Sequence, residues 1–147
     1  NHQLLSLYQV RAVLDGLAAG LCASQPALGG KINFDDLLAA GIAATKSKDV
    51  AQMVAADIAF HTAIYKHSGN PEIFNAVQAG WPHMVRAMHI VLSGAVLAED
   101  IWTEHRQIAE AIRDGDADNA HRLATSHAQT SGQLTFETLL TDQPKSA

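Results

Sequence analysis

The sequence predicts an all-α fold, an antiparallel bundle of about six helices. Apolar residues recur at helical spacing along almost the whole chain, and alanine and leucine are abundant. The alternating pattern typical of β-strands does not occur in the sequence, and glycine and proline fall mainly between the periodic segments. A chain of 147 residues with 48% hydrophobic content is long enough for one domain with a buried core.

Capping and helix-breaking residues separate the helices of the first half. The first helix ends at the breaker cluster that follows Ser24, and Asn33 is expected to cap a short second helix. Ser47 is expected to open the third helix, which ends at Ser68 and Gly69. The six predicted helices cover about residues 4–24, a short segment after 33, 47–68, 71–93, 97–114 and 117–140.

Similar signals mark the helices of the second half. Asn70 suits the N-cap of the fourth helix, and Pro71 takes the first helical position, where its missing N–H costs nothing. Pro82 lies inside that helix and predicts a kink or a local break. Gly115 is expected to close the fifth helix and Asp116 to cap the sixth. The polar tail, residues 142–147, is expected to be disordered.

Charge and cysteine content exclude several classes of function for this segment. The net charge is −5 and the 10 lysines and arginines are spread thinly, whereas phosphate neutralisation needs a clustered basic face. The single cysteine, Cys22, cannot form an intramolecular disulfide and suits a reducing cytoplasm. No uninterrupted apolar run reaches the ~18 to 20 residues of a membrane span, and no signal peptide opens the chain. We therefore expect a cytoplasmic domain without membrane contact, and DNA contact only through residues outside this chain.

Four side chains that bind metals lie on helix faces that are otherwise apolar. Asp57 and His61 are spaced i, i+4, so they lie one turn apart on the same face. His105 and His127 lie ten residues before Gly115 and eleven after Asp116, so antiparallel packing places them at one level. An ionised aspartate on such a face costs several kcal/mol unless it is paired or coordinated.

One carboxylate and three imidazoles inside an apolar bundle predict a divalent transition-metal site. With octahedral geometry, two adjacent positions stay open for water or a small anion. Two alternatives remain: hydrogen-bonded core histidines in a purely structural module, and a metalloenzyme that uses the open positions. The enzyme alternative lacks an obvious general base, because Glu104 directly neighbours His105 and is expected to point elsewhere.

Three further residues are candidates for effector binding. Arg11 falls on the apolar stripe of the first helix, where it either pairs with Asp15 or reaches an anion in the pocket. Arg86 forms a polar strip on the fourth helix with His83 and His89. This strip is either a solvated face or the lining of a pocket. Asn70 is a candidate effector contact, although its capping role already explains it.

The same stretches resemble a known family. DIAFHTAIYKHSGNP, from residue 57, resembles the D-x-x-x-H and Gly-Asn segment of the FCD effector-binding domain, found at the C-terminus of GntR-superfamily bacterial transcription regulators. EHRQIAEAIRDGDADNAHRLATSH, from residue 104, is similar to the E-H-R-x-I-x-x-A-I-x-x-G-D-x-x-x-A hairpin of that family with its closing histidine. LYQVRAVLDGLAAGL resembles the family's Y-x-V-R-x-x-L-E-x-x-A-A opening, with Asp15 where the family usually has glutamate. The resemblance covers nearly the whole chain.

The resemblance, to the FadR-like subfamily, implies a metal-dependent sensor of a small carboxylate effector, in a homodimeric DNA-binding regulator. The implied metal ligands are Asp57, His61, His105 and His127. Zinc is the first choice of metal, with nickel, manganese or iron as alternatives. Residues 1–141 would form the FCD-like domain, and a winged helix-turn-helix would precede it in the parent protein. The alternative function is a metalloenzyme acting on a small carboxylate.

Overall fold

The structure, a computed structural model, describes residues 2–93 and 98–141. Within these two ranges the backbone forms eight helices and no strand, so the predicted all-α class is confirmed. The helices are α1 (His2–Ser24), α2 (Pro26–Gly29), α3 (Phe34–Ser47), α4 (Val50–His67), α5 (Pro71–Gln78), α6 (Trp81–Leu92), α7 (Ala98–Arg113) and α8 (Ala117–Thr141). The predicted disordered tail and the predicted boundary near residues 94–97 lie outside the described residues.

Two local features raise the number of helices from six to eight. The breaker cluster after α1 is itself helical for one turn, because Pro26 sits in the first turn of α2. The predicted fourth helix divides into α5 and α6, and Pro82 lies in the first turn of α6 rather than in a helix interior. A proline costs little in a first turn, because the N–H it lacks has no intrahelical partner there. The predicted irregularity at Pro82 is therefore a break between two helices.

Side-chain caps mark most of the predicted helix starts. The Asn33 side chain accepts a hydrogen bond from Asp36 N at 3.1 Å at the start of α3. Asn70 accepts one from Glu72 N at 3.1 Å at the start of α5. Asp116 accepts one from Asn119 N at 3.2 Å before α8. These three predictions are confirmed.

The prediction that Ser47 opens the third helix is wrong. Ser47 is the last residue of α3, and its hydroxyl donates to Ala44 O at 3.0 Å. Lys48 follows with φ 56°, in the left-handed region, and this ends the helix. Asp49 caps α4 instead and accepts from Gln52 N at 3.1 Å. Asp49 rather than Ser47 is the cap because the backbone turns at Lys48, between the two residues.

Helix α1 is central to the bundle, because it packs along α8 and also contacts α4, α5 and α7. Small residues let the α1 and α8 backbones approach closely. A Cβ added at Gly132 of α8 would lie only 2.6 Å from Tyr8 Cβ, and one added at Gly16 only 2.1 Å from Thr125 Oγ1. This close approach carries the polar residues of α1 into the interior between α4, α7 and α8.

By length and composition α1 could also cross a membrane, but core helices pass the same test. The helix carries a buried ion pair, Arg11 with Asp15, and packs along α8 over most of its length. Its outer face exposes Val10, Val13 and Leu17. In this structure α1 therefore has one face packed in the bundle and one exposed apolar face.

The contact between α3 and α7 leads to a stability prediction. A Cβ at Gly41 would lie 2.1 Å from the Trp102 ring, whereas one at Gly20 would meet Ala117 O at an ordinary 3.5 Å. We expect Gly41→Ala to lower the free energy of unfolding by about 1–3 kcal/mol through overpacking. Gly20→Ala, the control, should raise it by up to about 1 kcal/mol through helix propensity. Urea unfolding measures both, and equal effects of the two substitutions would contradict the packing.

Candidate metal centre

The structure brings the four predicted metal ligands together in the core. Asp57 and His61 come from α4, His105 from α7 and His127 from α8, and none is more than 7% exposed. Asp57 Oδ1 lies 3.3 Å from His61 Nε2 and 3.3 Å from His105 Nε2. His105 Nε2 lies 3.1 Å from His127 Nε2. The three imidazoles can each direct one nitrogen into a space where these atoms lie within 4.8 Å of one another.

Local structure explains this convergence. One helical turn separates Asp57 from His61, and the α7–α8 hairpin turns at Gly115, whose φ of +70° suits glycine. Phe60 stacks on the His105 ring at 4.1 Å with an interplanar angle of 7°, which holds that ring in place. The His105 ring is therefore fully buried against an aromatic side chain of α4.

The donor atoms fit a divalent transition metal. Among the described residues, Asp57 Oδ1, His61 Nε2 and His105 Nδ1 are buried without a hydrogen-bond partner. A buried unpaired polar atom costs about 1–3 kcal/mol. A metal bound by Asp57 Oδ1 and the three Nε2 atoms would satisfy two of these atoms. Three imidazole nitrogens and one carboxylate oxygen are a donor set that zinc, nickel, manganese and iron accept.

The charge states of the cluster also suit metal binding. Burial lowers the pKa of His61, and it lowers the pKa of His105 well below its usual value, so both rings stay neutral. Burial opposes the ionisation of Asp57, but His61, His105 and Arg11 hold the pKa of this carboxyl well below its ordinary range. Neutral imidazoles and an ionised carboxylate are the forms that bind metals.

Glu104 contacts His127 on the side of the ring that faces away from the cluster, and the sequence did not predict this contact. The Glu104 carboxylate accepts a hydrogen bond from His127 Nδ1. This bond fixes the proton on Nδ1 and leaves the Nε2 lone pair toward the cluster. The expectation that Glu104 points elsewhere is wrong, because a residue next to His105 on α7 still faces the neighbouring helix α8. Only the relative rotation of the two helices reveals this contact.

A second carboxylate lies behind His61. Asp15 Oδ2 accepts from Arg11 Nε at 3.2 Å and lies 3.8 Å from His61 Nδ1, while Tyr65 donates its hydroxyl hydrogen to Asp15 Oδ1. The pairing of Arg11 with Asp15 is therefore the alternative that the structure shows. Burial opposes the charge on Arg11, but Asp15 raises the pKa of this guanidinium above its usual value. Burial beside Asp15 raises the pKa of Tyr65 well above its usual value.

Arg11 also faces a cavity at the cluster. The cavity measures about 30 Å³, and Asp57 and His127 contribute to its lining. Arg11 Nη1 contacts Met84 Sδ at 3.9 Å on another side. The guanidinium thus combines its pairing to Asp15 with a place in the wall of the space beside the candidate metal ligands.

Arg86 and Asn70 do not line the cavities that touch the cluster. Arg86 is exposed on α6 and lines a surface groove against the start of α1, together with His83. His89 is exposed as well, so the strip is solvent-exposed while two of its residues line that groove. Asn70 caps α5. Neither residue has a contact in the structure that supports the predicted effector role.

Comparison with known proteins identifies the family. Residues 6–130 match the family model of the FCD domain, and the chain belongs to this family. The resemblance predicted from the sequence motifs is therefore confirmed, and the domain is an effector-sensing one.

The chain is also similar to an uncharacterised HTH-type transcriptional regulator in an unstable DNA locus of Streptomyces ambofaciens. The two are 30% identical over 114 residues, which are 78% of this chain and 45% of the relative. The chain thus spans less than half of the relative's length.

The bond between Glu104 and His127 yields a prediction on metal affinity. Glu104→Ala should weaken binding of Zn²⁺ by about 10–100-fold, because His127 loses the acceptor that orients its ring. Glu110→Ala, an exposed glutamate on the same helix, is the matched control and should leave the affinity unchanged. Competition with a chromophoric chelator measures both. Equal affinities of the two variants would show that Glu104 does not orient His127.

The buried histidines also predict how the metal-free protein responds to pH. Burial lowers the pKa of His61 and of His105 in the folded state, so below pH about 6.5 the unfolded chain binds more protons. The free energy of unfolding should therefore fall as the pH drops below this value, by up to about 1.4 kcal/mol per pH unit for each histidine.

Urea unfolding in the presence of a chelator between pH 7 and 5.5 measures this slope. His105→Gln removes one titrating group and should flatten the slope. His89→Gln, at an exposed position, should leave the slope as it is. A slope that is the same in all three proteins would exclude a contribution from His105.

Proposed function

We propose that this chain is the metal-dependent, small-carboxylate-sensing domain of a GntR-type DNA-binding transcription regulator. One divalent transition metal, with zinc as the first choice, would be held by Asp57, His61, His105 and His127. The observation that carries the proposal is the convergence of Asp57 Oδ1 and three buried imidazoles from three helices, with two of the facing atoms unpaired. A purely structural cluster would instead pair Asp57 Oδ1 with a proton on His61 Nε2, 3.3 Å away, and the two alternatives predict different responses to a chelator.

The charge balance supports an anionic effector. Glu104 is 38% exposed and is screened by solvent, so only the buried charges are counted. With neutral imidazoles, a divalent ion and Arg11 outweigh the buried carboxylates Asp15 and Asp57 by a single positive charge. A buried net charge is costly, so an anion next to the ion and Arg11 would be stabilised. The planar guanidinium of Arg11, which lines the same cavity as Asp57 and His127, suits a carboxylate. When bound, the metal would supply the positive charge and open positions for this group.

Helix α1 is the element through which effector binding would be transmitted. It carries Arg11 and Asp15 into the site and packs along α8. A carboxylate that competes with Asp15 for Arg11 would change the packing of α1, and thereby the populations of two arrangements of the bundle. In a homodimer this change would alter the spacing of DNA-binding domains, which we place outside this chain, as in an HTH-type regulator. Such a regulator would act in the cytoplasm.

Metal analysis tests the proposal directly. The purified protein should hold about one equivalent of a transition metal, and chelation should lower its melting temperature, because a metal that binds only the folded state stabilises it. His105→Ala should abolish stoichiometric binding, whereas His89→Ala, at an exposed position on α6, should retain it. Absence of metal and an unchanged melting temperature on chelation would favour the purely structural module.

The metalloenzyme alternative predicts turnover of a carboxylate by the metal-loaded protein. Glu104, the carboxylate that the structure adds near the cluster, bonds to the Nδ1 side of His127 and does not line the cavity at Arg11. It is therefore badly placed as a general base for a molecule in that cavity. Product analysis of the metal-loaded protein incubated with a carboxylate measures this turnover. Binding without turnover would favour sensing.

A further inference from the structure

The two cavities that touch the cluster differ in what they can accept. One, lined in part by Asp15, His61 and Tyr65, measures about 10 Å³. The other, at Arg11, measures about 30 Å³. A single water needs roughly 10–15 Å³, so the first cavity is full with one water at most. Of these two cavities, the one at Arg11 is the larger, so we place the anion on the Arg11 side.

The wall of the larger cavity is apolar on α6 and α7. Met88, Val91 and Leu92 of α6 and Ile101 of α7 contribute side chains that carry no hydrogen-bonding oxygen or nitrogen. Met88, Leu92 and Ile101 also belong to a hydrophobic cluster that continues away from the site. A molecule whose charged end lies at Arg11 would therefore place the rest of its body against hydrocarbon.

Among the described residues, the hydroxyl groups that line this cavity are on α1 and α8. These are Tyr8, Ser131 and Thr135. The Thr135 hydroxyl already donates to Ser131 O at 2.7 Å, so its hydrogen is not available to a ligand. Beyond Arg11, Asp57 and His127, the described lining thus offers hydroxyl partners on α1 and α8 alone. Several hydroxyls of a polyhydroxylated acid would be buried unpaired, and each of them would weaken binding by roughly tenfold.

We propose that the effector is a short-chain aliphatic monocarboxylate rather than a polyhydroxylated acid. This inference rests on the proposed function, because the carboxylate would bind beside the metal and Arg11. The hydrocarbon end packs against the apolar wall of α6 and α7. Met88, with three rotatable bonds, is the side chain that moves to make room beyond the present 30 Å³.

A ligand series on the zinc-loaded chain tests the inference. Acetate, propionate and butyrate should bind with affinity that rises by roughly fourfold per methylene until the cavity is full. Gluconate should bind at least about tenfold more weakly than butyrate, because its hydroxyls lack partners. Isothermal titration calorimetry measures all four. A chain that holds no zinc overturns the proposed function, and so does a zinc-loaded chain that binds none of the four. Tighter binding of gluconate than of butyrate overturns this inference alone.

Substitutions in the wall separate a specific contact from general binding. Val91→Thr is nearly isosteric and puts a hydroxyl into the wall, so butyrate should bind about fivefold more weakly while acetate binds as before. Val13→Thr, on the exposed face of α1, is the matched control and should change neither affinity.

Ile101→Val is a second wall variant, which tests the inference even if Val91→Thr does not fold. It removes one methylene from the wall, so valerate should gain affinity relative to butyrate by roughly fourfold. Circular dichroism confirms that each variant is folded. If the wall variants change the affinities of acetate and of the longer acids by the same factor, the hydrocarbon end does not lie against α6 and α7 and the inference is wrong.

Discussion

The buried charges are the constraint on which the rest of the bundle depends. Arg11, Asp15 and Asp57 are each at most 7% exposed, and a buried ion is stable only beside a partner. Asp15 lies between Arg11 and Tyr65, and Asp57 lies between His61 and His105. Removing one partner of a buried pair costs about 3–5 kcal/mol, so these contacts hold α1, α4 and α7 in one relative arrangement.

The apolar scaffold exists largely to bring these groups together. Small residues allow α1 to approach α8 so closely that Gly132 has no room for a Cβ beside Tyr8. This approach sets the depth at which Arg11 and Asp15 enter the core. The stacking of Phe60 of α4 on His105 likewise sets how the His105 ring of α7 lies in the core. Packing and electrostatics are therefore not independent, because a change in helix spacing would also misplace the donor atoms.

Sequence reasoning succeeded where the relevant geometry is local. The spacing of Asp57 and His61 is a property of one helix, and the levels of His105 and His127 follow from one hairpin, so the proximity of these four side chains could be predicted. The failures depend on other information. Asp49 replaces Ser47 as the cap because the backbone turns one residue later, at Lys48. The contacts of Glu104 with His127, and of Tyr65 with Asp15, depend on how two helices rotate against each other, which spacing along one helix does not specify.

The same charges suggest why a metal and an anion would depend on each other in this site. Without a metal, Asp15 and Asp57 outweigh Arg11 and leave a net negative charge in the core, which repels a carboxylate. A divalent ion reverses that sign. Because coupling between two binding sites is reciprocal, an anion that needs the metal must also tighten the binding of the metal. The Glu104 carboxylate acts in the same direction, since its hydrogen bond orients the His127 imidazole and increases its basicity. In the proposed function, a core with this charge pattern would respond to an anion only when the metal is present.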